Sequence, residues 1–137
     1  MLRSVGAVVA GYAAMVVIVV VTMFAAMAAF VPGGLAAMRQ NMDAGAMAPT
    51  PRYMAINLAS GFVAALIGGL ITARIAPRSP NGHLAALAAV VLAMGVVSAF
   101  MPGADRQPSW YKLVIPIMGV AGIAASALFV SGRAAAG

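Results

Sequence analysis

Four stretches without a single Asp, Glu, Lys, Arg or His divide the chain: residues 5–31, 53–73, 84–101 and 113–130. They are 27, 21, 18 and 18 residues long, and about 20 apolar residues cross a bilayer as an α-helix. In lipid the backbone polar groups have to be satisfied within their own segment, so four transmembrane helices are predicted. The first run exceeds the roughly 7–15 residues of a secretory leader's apolar core. It is therefore expected to remain as a span, although Ala26-Met27-Ala28 has the small-residue form of a cleavage site. At ~1.5 Å per residue it measures about 40 Å and has to tilt or project beyond the bilayer.

Pro and Gly mark the run ends: Pro32-Gly33-Gly34, Pro49 and Pro51, Pro77 and Pro80 with Asn81-Gly82, then Pro102-Gly103 and Pro108. The expected fold is all-α. Residues 1–137 form a single transmembrane domain, a compact four-helix bundle with short inner and longer outer connections.

Composition strengthens this picture. Hydrophobic residues make up 64% of the chain and charged residues 7%, whereas a soluble domain carries about 25% charged residues. The charge is eight Lys/Arg against two Asp/Glu, net +6. A nucleic-acid binder gathers such an excess on one patch; here single basic residues separate apolar runs, so no nucleic-acid partner is expected. The chain has no Cys and one His, which removes disulfides, thiolate metal sites and Cys nucleophiles.

With four spans, both termini lie on one side. That side holds Arg3, Arg74, Arg78 and Arg133; the other holds Arg39, Arg52, Arg106 and Lys112 with Asp43 and Asp105. The basic count is tied. Two arginines in the short 74–83 turn, and Arg3 beside the first helix, favour termini on the cytoplasmic side of a bacterial inner membrane.

Phe30, Tyr53, Phe100, Trp110 and Tyr111 all fall at helix ends on the presumed outer side. They read either as an interfacial aromatic belt or as the place where a partner covers the outer surface. Phe30-Val31-Pro32-Gly33 and Phe100-Met101-Pro102-Gly103 also suggest two like-oriented hairpins offset by 70 residues. Chance reuse of an interfacial stop signal explains that pattern more simply than a transporter repeat.

Lipid tails are as apolar as leucine, so membrane helices associate by close packing of small residues. The second span has the clearest ridge, Asn57, Gly61, Ala65, Gly69 and Ala73, with Ser60, Ala64, Gly68 and Thr72 beside it. The two rows are expected to form one broad packing face, making this the most enclosed helix. The first span offers Gly6, Ala10 and Ala14, then Ile18 and Thr22; the third Ala85, Ala89 and Ala93; the fourth Gly119, Gly122 and Ser126 after Pro116.

Candidate chemistry is sparse. Asn57 is the one strongly polar side chain deep in a span, and a hydrogen bond across helices suits it better than a transport path. His83, beside a tight turn, reads as a helix-start residue rather than a ligand. Met38, Met42, Met47 and Met54 have the softness Cu(I) requires, but no His or Cys accompanies them. Leu35, Met38 and Met42 instead make one face of a short interfacial helix. No paired carboxylates, triad or phosphate loop is present, so no enzyme activity, metal or cofactor is expected. Coupled transport normally needs an intramembrane carboxylate or an unwound polar helix, and the spans supply neither.

The segments LRSVGAVVAGY (2–12) and LASGFVAALIGG (58–69) resemble small four-span bacterial membrane proteins that carry no assigned function. The resemblance implies a four-helix topology and no chemistry. The functional expectation is a non-catalytic accessory subunit packed among other integral membrane subunits, with lipids or pigments on its apolar faces. An energy-transducing photosynthetic or respiratory complex is the expected host. The alternative is a homo-oligomeric channel or small-solute transporter.

Overall fold

A computed structural model describes residues 2–30, 36, 50–76, 79–100 and 107–134. The helices are α1 (Leu2–Phe30), α2 (Pro51–Ile75), α3 (Pro80–Ala99) and α4 (Ser109–Ala134). All four are long and apolar enough to cross a membrane, the make-up of a multi-pass membrane protein.

Each helix begins two to four residues before its apolar run. Pro51 and Pro80 open α2 and α3, where the missing N–H costs nothing and the fixed φ already suits a helix. Thr50 caps α2: its Oγ1 accepts from Tyr53 N at 3.3 Å, satisfying one of the orphan N–H groups of the first turn. Ahead of α3, Ser79 sits at φ 44°, a left-handed conformation that turns the chain back between α2 and α3. At its far end α3 stops at Ala99, short of the predicted Met101 and ahead of Pro102, which cannot continue a helix.

Helix α2 is the spine. It packs along both α1 and α4, while α3 lies mainly on α4 and closes the bundle with lighter contacts to α2 and α1. Burial follows: 28% of the α2 span is buried, against 17% for α1, 11% for α3 and 22% for α4. Pairings near the helix starts and ends fix the directions. Ala7 meets Thr72, so α1 and α2 are antiparallel. Asn57 meets Tyr111 and Gly69 meets Ser126, so α2 and α4 run parallel. Leu2 and Ala134 therefore share one end of the bundle, and Tyr53 and Trp110 share the other.

The two small-residue rows of α2 do not make one face. They serve different neighbours. Ala64, Gly68 and Thr72 are buried in a seam with Ala7, Gly11 and Met15 of α1. There a Cβ on Gly68 would stand 2.7 Å from Gly11 O, and one on Gly11 would stand 2.7 Å from Gly68 O. The seam is locked by Thr72 Oγ1 donating to Ala7 O at 3.2 Å. Ala65 and Gly69 form the second seam, with α4. A Cβ on Gly122 would lie 2.8 Å from Ala65 Cβ and collide with Phe62 O; one on Gly69 would collide with the Ser126 hydroxyl.

Two packing expectations are corrected here. Gly61 is not part of a close approach: a Cβ there meets nothing within 4 Å, because it faces the cleft described below. In α1 the working row is Ala7, Gly11 and Met15, one position along from Gly6, Ala10 and Ala14; Gly6 also faces open space. Ala73 is half-buried against the core formed by Ala64, Ala65, Leu84, Leu87 and Ile123.

Candidate functional site

Two features remain once the seams are accounted for: a polar brace near the Trp110 end and an apolar cleft beside it.

The brace joins α2 to α4. Asn57 Nδ2 donates to Tyr111 Oη at 2.6 Å. Tyr111 is 1% exposed, the largest fully buried side chain among the described residues. It is the second residue after Pro108-Ser109, so it turns inward while its neighbour Trp110, 53% exposed, turns out. The two rings meet edge to face with centroids 5.7 Å apart, the favoured aromatic geometry. Half-buried Tyr53 lies close by, in a narrow gap shared with Thr22, Ala26, Asn57 and Ser60.

The hydroxyls around the brace are satisfied locally. Thr22 Oγ1 donates to Ile18 O at 2.7 Å and Ser60 Oγ to Asn57 O at 3.0 Å. No buried side-chain nitrogen or oxygen among the described residues lacks a partner. Hydrogen bonds of this kind, made across and along the helices, hold the brace together.

The aromatic residues thus divide. Phe100, 85% exposed, and Trp110 face outward, as a belt requires, and Tyr111 faces inward. The Phe30 side chain lies outside the described residues. Inward orientation of Tyr111 follows from its phenol needing a partner when buried and from Asn57 lying at the same level of α2.

The cleft opens between α1 on one side and α3 and α4 on the other, where α1 and α4 scarcely touch. Its volume is about 300 Å³. Gly61 forms its floor, with Tyr12 and Met15 from α1 and Gly95 and Gly119 deeper in the α3–α4 wall. Val16, Val20, Met94 and Ile115 line its rim and are 38–43% exposed. Glycine creates this space in two ways. Gly61 leaves it empty, and Gly95 and Gly119 let α3 and α4 close behind it, with virtual Cβ atoms 2.7 Å from Pro116 and 2.8 Å from Val91. The sequence reading missed the cleft. Its one advance signal was Tyr12, an aromatic hydroxyl in the middle of an aliphatic span.

The remaining candidates stay apart. His83 Nδ1 faces Ser79 O at 3.2 Å across the turn before α3. Met54 is buried in α2; Met38, Met42 and Met47, with the short helix expected around Leu35, lie outside the described residues. No group of three or more His, Cys, Asp or Glu gathers among the described residues. No protein-family model, curated protein or solved structure matches the chain.

Proposed function

We propose that the chain is a non-catalytic accessory subunit of a larger bacterial membrane assembly, stabilising it by helix packing. An energy-transducing complex, photosynthetic or respiratory, is the proposed host. The observation that carries this reading is the outer face of α3. Its small-residue row, Ala85, Ala89 and Ala93, is turned away from the bundle and exposed, and only Leu84 and Leu87 of this helix are buried. Small side chains gain nothing from lipid, but they let the backbone of another helix come close. A helix with so little internal packing and such a face is suited to be completed by an unlike chain.

Purification in mild detergent is expected to retain unlike subunits at fixed ratio. Ala89→Leu should lower that retention by about tenfold, the effect of ~1.4 kcal/mol lost to overpacking at a close contact. It should leave the melting of the isolated chain unchanged, since Ala89 is exposed in the bundle. A symmetric homo-oligomer that conducts ions or solute in liposomes would overturn the reading. The channel alternative gains little from the bundle interior, where the α1–α2 and α2–α4 seams close on glycine and alanine.

We also propose that both termini face the cytoplasm, on the strength of Arg3 and Arg74, both exposed at the same bundle end, together with Arg78 and Arg133. Reporter fusions at Gly137 and Gly45 should report cytoplasm and periplasm respectively. The opposite pattern inverts the topology.

A further inference from the structure

The apolar cleft does not end in hydrocarbon. Towards the Trp110 end it borders a smaller recess of about 40 Å³, and the two share Gly95, Ser98, Ile115 and Pro116 as walls. The recess adds two side chains of different character, Gln107 and Lys112. Lys112 is half-buried at the start of α4. The two spaces adjoin along the bundle flank, the larger apolar and the smaller bordered by a cation and an amide.

The dimensions match half a bilayer. On α1 the cleft runs from Tyr12 to Val20, about 12 Å of helix at ~1.5 Å per residue. The recess continues the cleft beyond Ile115 by about one further turn of α4 to Lys112. A leaflet's hydrocarbon is about 15 Å deep. The space is also roughly twice that of a ~150 Å³ apolar cavity that takes a benzene ring. An acyl chain can therefore lie along the cleft with its headgroup at the recess.

We propose that the flank formed by α1, α3 and α4 is a binding site for an anionic phospholipid. One acyl chain fills the cleft over Gly61, between Tyr12 and Gly119. The phosphate pairs with the Lys112 ammonium, and Gln107 hydrogen-bonds the headgroup. Charge complementarity selects the occupant. A lysine stem lies along apolar surface while its ammonium reaches the headgroup level, where it attracts anionic lipid. A zwitterionic headgroup presents the same phosphate, but its own ammonium offsets the attraction, so it gains mainly the cleft. The site does not depend on the chain having protein partners.

The test uses the full chain, purified and delipidated in detergent, then titrated with phosphatidylglycerol or phosphatidylcholine and read by native mass spectrometry. Phosphatidylglycerol should be retained about fivefold more strongly, the effect of one charge near the surface. Lys112→Gln should abolish that preference, lowering phosphatidylglycerol binding far more than phosphatidylcholine binding. Gly61→Leu should weaken both lipids, because a Cβ at that position meets nothing within 4 Å and the side chain is added to the cleft lining. Val16→Phe, which enlarges a rim residue that is 43% exposed, provides a second cleft-filling variant that leaves the buried side chains in place. Equal retention of the two lipids, or preference surviving Lys112→Gln, overturns the headgroup assignment. Unchanged binding in both cleft-filling variants overturns the cleft. Self-association lost in those same variants also overturns the proposal, because it assigns the flank to a second copy of the chain.

Discussion

Gly68→Leu is expected to cost about 3 kcal/mol, the top of the range for overpacking, and to separate α1 from α2. The reason is the nature of the obstacle. Most crowded side chains can rotate away, but the atom facing Gly68 includes the Gly11 carbonyl oxygen, 2.7 Å from a Cβ at that position. Backbone on one rigid helix has to move away from backbone on another. That movement also strains the Thr72–Ala7 hydrogen bond one turn further along. Gly61→Leu, seven residues earlier on the same helix, is expected to change stability by less than about 0.5 kcal/mol, as surface substitutions do. Unfolding of both variants in detergent, followed by helicity, checks the pair. Equal melting would mean that the Gly11–Gly68 crossing is not a tight one.

Tyr111→Ala is expected to be nearly as damaging, by about 3 kcal/mol. It empties the largest fully buried side-chain site in the described bundle and strands the Asn57 amide. In lipid the cost comes from lost packing and a lost hydrogen bond, since both the folded and separated helices are shielded from water. Tyr111→Phe separates the two contributions. It keeps the ring and removes the hydroxyl, so it should cost only roughly 0.6–2 kcal/mol. A double-mutant cycle with Asn57→Leu should show that most of this is a shared term. Additive effects in the cycle would place the Asn57 amide on another partner.

The fold was legible because lipid imposes so few solutions. Runs without charge, bounded by Pro and Gly, leave little choice but helices of spanning length. Packing detail was less legible, and α2 shows why. Gly68 and Gly69 are adjacent, so the two small-residue rows lie about 100° apart on one helix. Periodicity finds both rows equally and does not say whether one neighbour or two will use them. The same ambiguity misplaced the α1 contact by one residue: Gly6 and Gly11 are both small, and only the position of Gly68 opposite decides between them. Asn57 was visible as an amide that needed a partner. Tyr111 was harder to read, because a tyrosine at a helix start satisfies an interfacial pattern whichever way it points. The cleft was hidden for a different reason. It is made by where side chains are missing on three helices at once, and no single stretch of sequence carries it.

The central position of α2 has a consequence for how the chain is made. Its two seams are filled by the first helix and by the last. When α2 enters the membrane, α1 is already there to meet Ala64, Gly68 and Thr72. Ala65, Gly69 and Asn57 wait for Ser109–Ala134, which is synthesised later. Nearly sixty residues separate Ile75 from Ala134, several seconds of synthesis at ~5–20 residues per second. For that interval the nascent protein is a half-finished object, with an unpaired amide and an open glycine seam facing lipid. Completion of the bundle therefore depends on α4 reaching a helix pair that is already in the membrane.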